Sequence, residues 1–167
     1  MSGTESTLTV STSPSVAVGM MIRRPAGDVF RAIVDPTITS KFWFTKGSGP
    51  LVVGARVQWE WEMYDMRDTV EVTHVEQDRL VRFNWGIESG DGGTVTFTLT
   101  PLTDGTYVDV TETDFPPAVT DDGDKLLGRI GQSSGGFAFV LSAMKAWLEH
   151  GIVLRLVLDH MPKDLDR

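Results

Sequence analysis

Two helical signals bracket an almost unbroken run of alternating strand segments, and this order constrains the fold more than any motif does. The first signal is Pro25-Ala26-Gly27-Asp28-Val29-Phe30-Arg31-Ala32-Ile33-Val34-Asp35-Pro36. Asp28 suits the positive end of a helix dipole, and Pro36 disfavours helical geometry at Asp35. The second, running from about Gly135 to His150, places Phe137, Val140 or Leu141, Met144, and Trp147 or Leu148 on one stripe. Gly151 suits the position just past its end. A shorter helix is expected over Thr37 to Phe44, carrying Phe42 and Trp43.

The strands are read from period-two alternation. A first strand spans Ser15 to Arg23. Ala55 to Met63 sets Val57, Trp59 and Trp61 on one side. Met66 to Val75 puts Met66, Asp68, Val70, Val72 and His74 on one parity. Leu80 to Trp85 carries Val81, Phe83 and Trp85 inward. Thr94 to Thr100 carries Val95, Phe97 and Leu99, and Thr106 to Thr113 carries Val108, Val110 and Glu112. Turn signals separate them, notably Gly90-Asp91-Gly92-Gly93 and Thr103-Asp104-Gly105. The order predicts an α+β fold, a curved six-stranded antiparallel sheet wrapped around the last helix. Residues 1–14 read as a flexible tail, 15–161 as one domain and 162–167 as a C-terminal tail. The segment after Gly151 is ambiguous between extended chain and a further helical turn.

Composition narrows the chemistry. A chain of 167 residues buries enough surface to fold without staples. It has no Cys, which removes disulfides, a thiol nucleophile and Cys-ligated metals. The net charge is −8 and the basic residues do not cluster, so neither nucleic acid nor an anionic membrane is an expected partner. Without a signal-peptide pattern or a long apolar run, the expected location is the cytoplasm.

Several local patterns imitate sites. Gly131-Gln132-Ser133-Ser134-Gly135 matches the nucleophile-elbow letters, but that motif needs a strand-to-helix turn on a parallel sheet. Gly47-Ser48-Gly49 lacks a third glycine and a surrounding βαβ unit. Asp121-Asp122-Gly123-Asp124 lacks calcium-loop spacing, and His74, His150 and His160 lack metal-ligand spacing. No cofactor or metal is expected. Of the polar residues on inward parity, Asp68 and Glu112 are the ones that carry charge. A carboxylate desolvated in an apolar cavity can act as a general acid or base. A strand end open to water is the plainer reading of each, as it is of His74.

At this level of detail the chain resembles the helix-grip superfamily (SRPBCC) that includes START domains, polyketide cyclases and the birch-pollen allergen fold. It is most similar to the domain named after the C-terminal half of the activator of the heat-shock-protein-90 ATPase. The matching residues are Arg24-Pro25, Val29-Phe30, Asp35-Pro36, Trp43, Val70-Glu71-Val72 and Leu80-Val81-Arg82-Phe83-Asn84-Trp85. They continue through Val95-Thr96-Phe97-Thr98-Leu99-Thr100-Pro101, Gly105-Thr106, Thr111-Glu112, Gly135-Gly136-Phe137 and Trp147-Leu148. Alternation alone cannot tell a filled core from a hollow one, and the resemblance tilts the reading toward a cavity. It implies that a small apolar or aromatic molecule binds between sheet and helix. The expected lining is Trp43, Trp59, Trp61, Asp68, Val70, Phe83, Trp85, Phe97, Val110, Phe137, Leu141 and Met144. One alternative is a cyclase- or aromatase-like enzyme with Glu112 as its catalytic carboxylate; another is a co-chaperone-like interaction module. A homodimer is compatible with either.

Overall fold

The computed structural model describes residues 13–165; positions 1–12 and 166–167, parts of the two expected tails, lie outside the described residues. The chain opens with β1 (Val16–Ile22), followed by α1 (Ala26–Val34) and α2 (Pro36–Thr39). Pro25 precedes the first turn of α1, and the Asp28 carboxylate in that turn pairs with Arg24 at 2.8 Å. Asp35 is extended at φ −95° and ψ 111°, as a residue before proline should be, and its Oδ1 accepts from Thr37 N at 2.9 Å. The buried Thr39 hydroxyl donates to Ala32 O at 2.6 Å, locking α2 onto α1.

Then come β2 (Lys46–Gly47), β3 (Arg56–Trp61), β4 (Met66–Glu76), β5 (Leu80–Asn84), β6 (Thr94–Leu102) and β7 (Gly105–Thr113). All neighbours pair antiparallel in the order β1-β7-β6-β5-β4-β3-β2. The architecture is the expected α+β sheet with a long C-terminal helix. It has seven strands where the sequence suggests six. The extra one is β2, hidden in a segment punctuated like a loop: Thr45 N and Ser48 N donate to Glu60 O and Gln58 O on either side of it. Gly47 is required there, since a Cβ would lie 2.8 Å from Pro36 Cβ and 2.9 Å from the Phe44 ring.

Burial alternates along the central strands as the period-two reading requires. On β7, Thr106, Val108, Val110 and Glu112 are buried while Tyr107 is exposed. The parity of β4 breaks at a register shift between Val72 and His74. His74 therefore turns to solvent and bonds Glu76 at 2.9 Å.

After α3 (Pro117–Thr120), the last long helix, α4 (Gly123–His150), begins twelve residues before the expected Gly135. The acidic run that lacks calcium-loop spacing is its start: Asp122 Oδ1 accepts from Asp124 N and Lys125 N. The nucleophile-elbow lookalike is thus mid-helix, in no strained turn. α4 lies along β1, and Lys145 Nζ donates to Met21 O at 2.7 Å. It ends at Gly151, φ 65°, whose N donates to Trp147 O while Ile152 N reaches Ala146 O. The segment after it has no regular secondary structure as far as Arg155, φ 51°, then forms α5 (Leu156–Asp159), where Tyr64 Oη donates to Val157 O.

Candidate functional site

Strand parity on β3, β5 and β6 and the apolar stripe of α4 aim their large side chains into one interior. Trp59, Trp61, Phe83, Phe97, Val70, Val110, Phe137, Leu141 and Met144 are all buried there, and Trp85 is half-buried at its margin. Trp43 comes from the connector between α2 and β2. It is ringed by Phe44, Trp59, Phe83, Trp85, Phe97 and Phe137, with centroids 4.9 to 6.4 Å away. Trp59 stacks on Phe44 at 4.6 Å and Trp85 on Phe137 at 5.7 Å. These separations are those of packed rings. The interior is therefore filled in this state, and its central occupant is Trp43. Two grooves of about 390 and 300 Å³ lie outside it, the larger lined by Thr37, Ser40, Thr45, Lys46, Gln58 and Glu60 among others.

The interior is not wholly apolar. Glu112 is 0% exposed. Its Oε1 accepts from Trp85 Nε1 at 2.8 Å and from Arg129 Nη2 at 2.6 Å. Its Oε2 is buried with no hydrogen-bond partner among the described residues, as is Trp59 Nε1. A buried carboxylate is costly without a countercharge, and Arg129 supplies it. The guanidinium is itself held: Nη1 donates to Asp91 O at 2.8 Å and Nε to Ser133 Oγ at 3.2 Å. Its Cζ lies 5.9 Å from the centroid of the Trp85 ring and 5.6 Å from that of Phe115. Arg129, Ser133 and Phe137 follow one another at four-residue intervals along α4, so one helix face passes from charge to hydroxyl to ring. Sequence reading misses Arg129, and meets Ser133 only in the rejected nucleophile-elbow pattern, because it begins the helix too late. The signal is Asp122 as an N-cap, which extends the Phe137 row backwards to Arg129.

Asp68 lies directly opposite Trp59 in the β3–β4 register. Its Oδ2 accepts from Gly86 N at 2.7 Å, fastening the β5–β6 loop. Partial burial pushes its carboxyl above the ordinary aspartate range, against the bond from Gly86. Thr69 holds the same loop through Glu88, whose Oε2 accepts from Thr69 N at 2.7 Å. With Arg129 on Asp91, the loop is pinned over the end of the sheet where Glu112 lies. Among the described residues, no cluster of three or more His, Asp or Glu could hold a metal, and no helix is long and apolar enough to cross a membrane.

Known proteins share this fold. Protein SSP2350 from Staphylococcus saprophyticus is 31% identical with a TM-score of 0.71, over 85% of this chain and 96% of that one. DynU16, a putative protein in the dynemicin biosynthetic locus, is 24% identical with a TM-score of 0.72; the match covers 83% of this chain and 48% of that one. The Aha1 dimer from Colwellia psychrerythraea is 18% identical with a TM-score of 0.69, over 83% and 98%. No curated protein matches. The profile of the family described as Activator of Hsp90 ATPase homolog 1-like protein matches residues 23–149, and the chain belongs to that family.

Proposed function

We propose that this protein binds a small, largely apolar molecule between the sheet and α4, in the space that Trp43 now fills. The observation that carries this is the origin of Trp43. The ring at the centre of the interior belongs to a short connector, not to a strand or to α4, so it can leave without dismantling either. The interior it would vacate is lined by aromatic rings with a few polar groups, the composition of ligand sites. DynU16, a neighbour of this fold in the dynemicin biosynthetic locus, supports a small-molecule role.

The test is a set of neutral aromatic compounds added to the wild-type protein. Saturable quenching of tryptophan emission and a dose-dependent rise in melting temperature are expected, since a ligand that binds only the folded state stabilises it. Met144→Trp, which fills the interior from α4, should abolish both. Absence of quenching and stabilisation across the set would overturn the reading.

One observation favours a second reading, a cyclase-like enzyme. Glu112 Oε2 is a buried acceptor with no protein donor among the described residues, which supports a role in taking a proton from a bound substrate. In that case Glu112→Gln lowers turnover far more than affinity.

A further inference from the structure

We infer that the ligand is a neutral molecule carrying a hydroxyl group, and that the hydroxyl donates to Glu112 Oε2. This rests on the binding reading above and adds the chemistry of one end of the ligand. Both donors on Glu112, Trp85 Nε1 and Arg129 Nη2, converge on Oε1. Oε2 is left fully buried with unused lone pairs. An ionised carboxylate oxygen in that position gains from any donor that reaches it, and loses if filled by an apolar group.

The charges define the rest of the ligand. Arg129 already balances Glu112, and its Nε and Nη1 are committed to Ser133 and Asp91 O. The Asp91 carboxylate stands 3.8 Å from the same guanidinium. A ligand anion would meet two carboxylates and a cation already committed to them. A ligand cation would bring an unbalanced charge into a site already neutralised. A hydroxyl donates without charge. The route is set by the rings: Trp43 lies 6.2 Å from Trp85, and Trp85 bonds Glu112. Trp85 thus links the place of Trp43 to Glu112, and a molecule of two rings with a hydroxyl at one end is the shape to test.

The test uses four biphenyls on the wild-type protein, with binding read by tryptophan quenching. They are 4-hydroxybiphenyl, 4-methoxybiphenyl, 4-methylbiphenyl and biphenyl-4-carboxylate. The hydroxyl compound should bind about 10-fold to 100-fold tighter than the methyl one, as a hydrogen bond to a charged group implies. The methoxy compound accepts but does not donate and should match the methyl one; the carboxylate should be weakest. In Glu112→Gln the hydroxyl preference should shrink. If that variant does not fold, the paired replacement Glu112→Leu with Arg129→Met removes both charges together and should erase the preference. Equal binding of the hydroxyl and methyl compounds overturns the subsite while leaving the binding reading intact. So does a preference that survives the loss of Glu112. Failure of every biphenyl overturns the two together.

Discussion

Glu112 shows how one residue can be legible and its circumstances not. Period-two alternation on β7 puts it on the face of Val108 and Val110, and there it is, 0% exposed. Nothing in that alternation names Arg129, seventeen residues on, because the partner depends on where α4 begins and how it lies. Glu112 is fully buried and Arg129 largely so, so the halves of the pair are not equivalent to its whole. Arg129→Met alone leaves an uncompensated carboxylate and should cost about 3–5 kcal/mol in urea unfolding. Adding Glu112→Leu should return much of that loss, and a double variant no more stable than Arg129→Met would show that the pair is not coupled. Asp68 makes a pH-dependent prediction. Its carboxyl is raised by burial, so the folded state holds the proton more tightly than the unfolded chain. Its contribution is fully present below about pH 4, the unfolded value, and is lost as pH rises through the folded value. Asp68→Asn should therefore gain stability relative to wild type as the pH rises above about 4. A difference independent of pH above that value would contradict it.

At the scale of elements, the strands are legible nearly to their ends, because alternation is a strong signal when one face is buried. The errors fall where local chemistry and tertiary structure disagree. β2 carries loop-like residues and exists because its backbone completes bonds to β3. The first half of α4 holds Gly128, Gly131, Gly135 and Gly136, which lower helix propensity and hide the element. A Cβ at any of these four would meet nothing within 4 Å, so packing does not demand glycine. Gly131→Ala should raise stability by about 0.4–1 kcal/mol, through the unfolded chain and the helix alike. A neutral or negative change in thermal unfolding would mean that this stretch of α4 is not helical in solution. Removing the cap should act the other way: Asp122→Ala should cost about 0.5–2 kcal/mol. An alanine at Gly93 differs in kind, since its Cβ would lie 2.4 Å from Thr113 O and would displace the loop pinned above Glu112.

For the whole molecule, alternation leaves open whether sheet and helix enclose a space or a core, since buried rings alternate in the same way around either. The structure rings Trp43 with six aromatic side chains in that interior and thereby ties the answer to one side chain. Trp43→Ala should be destabilising by about 3–5 kcal/mol, the usual cost of deleting a large buried aromatic. The response of that variant to indole separates the two cases. If the surrounding strands and α4 hold the interior open, the vacated space has the shape of an indole and is lined by Trp59, Phe83, Trp85, Phe97 and Phe137. Free indole should then enter, raise the melting temperature of Trp43→Ala in a saturable way, and leave wild type almost unchanged. If the rings instead collapse inward, the variant should stay destabilised at every indole concentration. The interior would then be a core that needs Trp43, with no room reserved for anything else.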